Sequence, residues 1–450
     1  MESDANKPRR AGQRKRGTLL SVLGVWFGLA AAMGGMVGQG ILRTPGIVAG
    51  AVSSPQLIIG LWVVGGLVTA VSAFAIVELG TAIPCAGGPY VFARRAFGPM
   101  AGTLMGWGDW LNSISTLGFF AVVAAEFCHK LGVLRQFPIV IIAPAFIAVF
   151  WALNWTGTKT SALSQTIGSA LKALGLIALI VVLFCSRGAA TAQVESQPLH
   201  LVLGLAAVTV AFRAIYNTYD GSSNGVYFTE EMIEPGRDYP RAVFGGIALV
   251  TLLYVATNAA LLHVLTPAQM AASELPVADA ASVALGAIAG LAVIVFSIVS
   301  VGAVTNLTLM FSSRIVFGLA RDGILPSVLS QVSQSGTPRL ALSVTAVVAA
   351  TLAASGTYAQ LVAINVGLAV VMQLVNCAAV MRLRQREPEL TRPFSIPFYP
   401  WPILATLVLY GALAAALIYD DPWHTLLGLA ALAVIGGIYA FIGLKQPAHR

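Results

Sequence analysis

The chain has 450 residues, 57% of them hydrophobic and only 10% charged, with a mean hydropathy of +0.83. Soluble domains carry about 25% charged residues, so the composition excludes an ordinary water-soluble protein and places the chain in the membrane class. The net charge of +8 would suit nucleic acid, but its distribution along the chain assigns it to a membrane surface instead.

Residues 1–18 contain Lys7, Arg9, Arg10, Arg14, Lys15 and Arg16 and read as a basic, disordered tail facing anionic lipid. The apolar run after it is too long for a secretory signal and lacks a small-residue cleavage site. Twelve apolar segments follow, each near the ~20 residues that span a bilayer. They cover 19–45, 54–80, 98–128, 137–155, 164–186, 200–229, 241–264, 283–314, 339–355, 358–381, 400–419 and 423–443. On this topology 20 of the 26 Lys and Arg lie in inner segments. Three lie outside (Lys130, Arg135, Arg187) and three within spans (Arg43, Lys172, Arg213). That bias puts both termini in the cytoplasm.

The first segment is interrupted by Gly34-Gly35-Met36-Val37-Gly38-Gln39-Gly40-Ile41-Leu42-Arg43-Thr44-Pro45-Gly46. Glycine lets the backbone leave the helix and lets a ligand approach it closely. A helix restarting after such a break presents free N–H groups and a positive dipole end, which suit a carboxylate. Gly34 and Gly35 are also read as packing residues. In the third segment Asp109 is deep, while Glu78 and Glu126 near helix ends are expected to be solvated. Lys172 lies in the middle of the fifth segment. A midplane lysine is rare and points to function: it carries a coupling proton, or stands where another transporter binds sodium. The bland alternative is a lysine snorkelling from a shifted helix.

The sixth segment is interrupted by Tyr219-Asp220-Gly221-Ser222-Ser223-Asn224-Gly225. Polar, flexible residues within a span are expensive unless they line water or solute. The competing reading is a loop outside a shorter helix. Broken helices at corresponding positions of two five-helix halves point to a transporter's central site. One break offers donors and the other acceptors, which together describe a site for a zwitterion. The eighth segment carries Ser297, Ser300, Thr305 and Asn306, whose polar groups commonly bond their own helix or a neighbour. Cys85, Cys128, Cys185 and Cys377 form no metal motif, although a Cys128–Cys185 pairing is left open. No P-loop or nucleophile–base constellation stands out, so neither ATP hydrolysis nor an embedded enzyme is expected, and neither metal nor cofactor is called for.

Several motifs stand in a fixed order: Val37 to Leu42 with Pro45-Gly46; Glu78-Leu79, Ile83 to Tyr90 and Phe97-Gly98-Pro99; Tyr219-Asp220-Gly221. Then come Thr229-Glu230-Glu231 with Pro235-Gly236-Arg237 and Pro240-Arg241; Ala320 to Pro326; and Arg382 to Phe394. Over nearly the whole chain these motifs resemble the amino acid–polyamine–organocation family of permeases. The resemblance implies an all-α membrane protein with twelve transmembrane helices in a LeuT-type 5+5 inverted repeat plus two peripheral helices. The first repeat is then 19–190, the second 199–385, the peripheral helices 400–443, and 444–450 a cytoplasmic tail. It implies alternating access in a cytoplasmic (inner) membrane.

By the same resemblance the substrate carboxylate meets Gly38, Gln39 and Gly40, flanked by Val37 and Ile41. The amine meets carbonyls around Met33, Tyr216, Tyr219 and Asp220, with Gly221 and Ser222 completing the wall. Lys172 matches the fifth-helix lysine of sodium-independent members, with the first break, Ser300 and Ser297 around it. Ser222 stands where many relatives carry an aromatic residue, and Asp220 where many carry serine, so substrate size does not carry over. The expected function is sodium-independent, proton-coupled amino acid transport. Obligatory exchange, polyamine transport and a membrane sensor are the alternatives. The expected partners are an amino acid, protons and lipid, with no nucleic acid; the oligomeric state is open.

Overall fold

The computed structural model describes residues 19–38, 40–186, 205–355 and 358–420. The basic tail 1–18, Gln39, Arg187, the start of the sixth predicted span, the last predicted span 423–443 and the tail 444–450 lie outside the described residues. The described chain is helical throughout. The first span is two helices, α1 (Val25–Met36) and α2 (Gly40–Ala51), bent by 43°. Then come α3 (Pro55–Ala82), the short α4 (Pro89–Phe97), α5 (Pro99–Lys130), α6 (Ile139–Thr156) and α7 (Thr158–Cys185). The second half holds α8 (Leu205–Thr218), a 3-10 helix (Asn224–Glu231), α9 (Pro235–Val264), α10 (Pro267–Ala272), α11 (Pro276–Leu285) and α12 (Ala287–Arg321). α13 (Arg339–Ala354), α14 (Tyr358–Arg386) and α15 (Trp401–Asp420) follow.

Seven of these helices are long and apolar enough to cross a bilayer, and the bent pair α1–α2 makes an eighth. α8 with 14 residues and α13 with 16 are too short to meet that test. The predicted span boundaries shift by several residues. Pro45 and Gly46, assigned to the first break, lie inside α2. Gly46 there lets α2 approach the backbone of α10: a Cβ would stand 2.8 Å from the Met270 carbonyl oxygen. The fifth span begins earlier, at Thr158, and 283–314 becomes α12 preceded by a separate α11.

Helices from the earlier and later parts of the chain pack on each other: α2 on α8, α3 on α9, α5 on α12 and α6 on α13. α5 sits centrally, touching α4, α6, α12, α13 and α14. In lipid no hydrophobic force draws helices together, so close packing and buried hydrogen bonds hold them. A ladder of polar side chains serves α6, α7 and α12: Asn154 donates to Asn306 (2.8 Å), Asn306 to Gln165 (3.1 Å) and Gln165 to Ser169 (3.2 Å). Ser169 in turn donates to the Ala30 carbonyl (2.8 Å), fastening α7 to α1.

At the end rich in cations, ion pairs cross between elements. Arg314 pairs with Glu231, Arg321 with Glu230, Arg94 with Asp322 and Arg95 with Glu387. The Arg95 guanidinium holds the Glu387 carboxyl below its usual range, chiefly through the hydrogen bond between them. Glu78 is a correction: it is not solvated but buried, and receives Arg384 (2.8 Å) and the Ile396 amide (2.9 Å), with Arg392 at 3.5 Å. Its partners come from the far end of the chain, so position near a helix end misled. All four cysteines are free thiols, so the Cys128–Cys185 pairing is absent.

Candidate functional site

The two breaks touch. A Cβ on Gly35 would stand 2.7 Å from the Gly221 carbonyl oxygen, and one on Gly221 would stand 2.9 Å from the Gly35 carbonyl carbon. Gly221 also has φ +92°, a conformation that only glycine adopts at low cost. α1 ends at Met36 and α8 at Thr218, and one hydroxyl serves both ends: Tyr254 of α9 lies 2.7 Å from the Met36 carbonyl oxygen and 3.1 Å from that of Thr218. Its single proton bonds one carbonyl at a time. Tyr219 turns into the same aromatic cluster and donates to the Trp62 carbonyl (2.9 Å). The second break is therefore an interruption inside the fold, not a loop outside it: turn 219–223 leads into a buried 3-10 helix.

Beside the two touching breaks, and lined by both, lies a cavity of about 370 Å³. Its walls come from α1, α2, α3, α5, α8, the second break, α12, α14 and α15. α2 begins at Gly40, so its first N–H groups have no helical partner and its positive end faces the cavity. α8 ends against that start, at Thr218, with its negative end, and Asp220, which lines the cavity, follows it. The cavity thus has a donor pole and an acceptor pole. On the α15 side, Tyr216 and Tyr410 share a hydroxyl–hydroxyl hydrogen bond of 2.5 Å.

Lys172 is fully buried behind the first break rather than in the cavity wall, and is not snorkelling. Its ammonium donates to the carbonyl oxygens of Val37 (2.7 Å) and Gly34 (3.0 Å). Ser300 of α12 donates to the same Val37 oxygen at 3.2 Å. A lysine from α7 and a serine from α12 therefore fix the backbone that the break frees from helical bonding. Ser297 is not part of this post: it donates to Val293 of its own helix (2.7 Å).

Gly38, Gly40, Tyr216, Tyr219, Asp220, Gly221 and Ser222 line the cavity. Met33, Val37 and Ile41 are buried outside its lining; the Met33 carbonyl bonds the Val37 amide (2.8 Å). Asp109 lines the cavity and accepts the Tyr227 hydroxyl (2.8 Å). Arg43 lies over the Phe127 ring, 5.7 Å from its centroid. Sequence reasoning missed Tyr254, Tyr227, Tyr410 and the Thr44–Thr218 hydroxyl pair (2.8 Å). The usable signal was tyrosine inside an apolar span, since a buried phenol needs a partner.

The two glycines of the first break have different work, and two substitutions separate it. A Cβ on Gly40 would stand 2.9 Å from Thr218 Cγ2, so Gly40→Val should drive α2 off α8 and lower folded yield. A Cβ on Gly38 meets nothing nearer than Val304 at 3.6 Å and fills cavity instead. Gly38→Ala should keep wild-type yield and melting temperature yet lose uptake by about tenfold, the loss of roughly one charge-assisted hydrogen bond to the substrate. Uptake at the wild-type level would show that the substrate does not approach this backbone.

A family model described as an amino acid permease matches residues 23–438. The chain is 28% identical over 436 residues to the serine/threonine exchanger SteT of Bacillus subtilis, covering 94% of this chain and 97% of that one. It is 29% identical over 434 residues to the large neutral amino acids transporter small subunit 2 of Oryctolagus cuniculus, covering 92% and 78%. A methylthioribose transporter of Bacillus subtilis is 25% identical over 458 residues, covering 96% and 95%.

Proposed function

The chain belongs to the amino acid permease family, and on that premise we propose that it is a sodium-independent secondary transporter of amino acids driven by protons. The observation that carries this reading is the cavity with helix ends of opposite sign. The start of α2 complements an α-carboxylate, and the end of α8 with Asp220 complements an α-ammonium. Its volume of about 370 Å³ suits one small solute. Sodium independence is inferred from Lys172, whose ammonium already sits on the Gly34 and Val37 oxygens, where a hard cation would otherwise bind. The packing of α2 on α8, α3 on α9, α5 on α12 and α6 on α13 supports a LeuT-type inverted repeat rocking around this cavity. The basic inner segments favour a cytoplasmic membrane with both termini inside. Transport, not catalysis, is the activity.

Exchange is the second reading, favoured by the relative named a serine/threonine exchanger. Reconstituted liposomes separate the two. Concentrative uptake of labelled amino acid into empty vesicles under an inward proton gradient, without sodium and abolished by a protonophore, is the expected result. Uptake only into vesicles preloaded with amino acid would replace proton coupling by exchange. A strict sodium requirement would remove the role given to Lys172.

A further inference from the structure

Asp109 lies in the cavity wall apart from the two breaks and from Lys172. It belongs to α5 and is 1% exposed. Its Oδ1 accepts the Tyr227 hydroxyl, whose ring is stacked on Phe311 with centroids 4.6 Å apart. Its Oδ2 has no hydrogen-bond partner among the described residues. None of the ion pairs among the described residues includes it. A buried carboxylate normally finds its full set of donors. Oδ2 is itself shielded, and the cavity whose wall Asp109 shares is the space from which a donor would come. α5 forms a different wall from the two breaks, so what reaches it is the side chain of a substrate whose amino acid group is held by them.

We propose that Asp109, oriented by Tyr227, is the side-chain subsite of this cavity and selects amino acids whose side chain ends in a hydrogen-bond donor, an ammonium foremost. This rests on the permease reading and adds the substrate class to it. A terminal ammonium completes Oδ2 with a charge-assisted bond. An isosteric methyl would shut the carboxylate from water and leave it unpaired, which disfavours binding more than the loss of a contact alone. If Asp109 served only to anchor Tyr227, one oxygen would suffice and substrate choice would not depend on it.

Ornithine and norleucine test this, because their side chains match in length and end in ammonium and methyl respectively. Homoserine and norvaline form a second pair, hydroxyl against methyl. The full chain in liposomes is assayed for inhibition of labelled alanine uptake, and ligand-induced thermal stabilisation gives the same comparison for a variant too slow to transport. In the wild type, ornithine should act at about one-tenth the concentration of norleucine or less, as expected for one charge-assisted hydrogen bond. Homoserine should beat norvaline by a smaller factor. Asp109→Asn should bring the ornithine-to-norleucine ratio close to one, and a ratio is insensitive to protein amount and turnover. A wild type that binds norleucine as well as ornithine, or an Asp109→Asn ratio equal to the wild-type ratio, overturns the subsite alone. A wild type that neither moves nor is stabilised by any of the five amino acids overturns the permease reading itself.

Discussion

Lys172→Met is expected to abolish uptake into empty vesicles while leaving the protein in the membrane. The side chain is nearly isosteric, so the change removes the charge and its donors rather than volume. Two carbonyl oxygens lose the ammonium: Gly34 loses its 3.0 Å bond and Val37 its 2.7 Å bond, keeping only Ser300 at 3.2 Å. The Gly34 oxygen is then left without the ammonium and Val37 with one donor in place of two; a buried acceptor left unpaired costs about 1–3 kcal/mol, so the break should adopt another backbone arrangement. The positive end of α2 starts three residues beyond Val37, and its aim at the cavity depends on that arrangement. A loss of about 3 kcal/mol in substrate binding corresponds to more than a hundredfold in affinity. Uptake and counterflow are to be measured together. Loss of uptake with counterflow kept places Lys172 in coupling; loss of both makes it the structural post of the site. Wild-type uptake would mean that the post is dispensable and the sodium-replacing role wrong.

How much of this was legible in the sequence depends on whether a residue's meaning was local. Gly38, Gly40, Asp220 and Gly221 were readable because glycine and polar residues inside an apolar span have few explanations, and all four line the cavity. Lys172 was readable for the same reason: a midplane ammonium must be paired, and it is. Ser297 and Ser300 looked alike, both hydroxyls on one span. Only the packing of α12 on the first break separates the hydroxyl that bonds across helices from the one that bonds its own. Tyr254 was invisible because its two carbonyl partners lie 218 and 36 positions away. Glu78 was misread for the same reason, since Arg384 lies 306 positions on. Spans were legible as apolar runs, but not their ends: hydropathy does not say that α2 continues through Pro45 or that α8 stops at Thr218.

Glu231→Gln should lower stability more than any change in the cavity itself. Glu231 ends the 3-10 helix that follows the second break, and both it and Arg314 of α12 are fully buried. The pair is bidentate, Nε to Oε1 at 2.9 Å and an Nη2 contact to Oε2 at 3.1 Å. Arg314 further donates to Thr158 of α7 (3.1 Å) and to the Met310 carbonyl (3.0 Å), and lies over the Phe228 ring at 5.3 Å. The Glu231 backbone oxygen meanwhile takes the amides of Val22 and Leu23, both at 2.9 Å. The site therefore joins the segment before α1, the second break, α7 and α12. Removing one charge leaves the other buried and unpaired, which costs about 3–5 kcal/mol. A large fall in the melting temperature of the detergent-solubilised protein is expected, with poor recovery of folded material. Replacing both partners, as Glu231→Leu with Arg314→Met, removes the unpaired charge and should restore most of that stability. The double variant should still transport more slowly, because the second break is no longer tied to α7 and α12 by hydrogen bonds. Full activity in the double variant would reduce the pair to packing, and unchanged stability in Glu231→Gln would mean that Arg314 finds another anion.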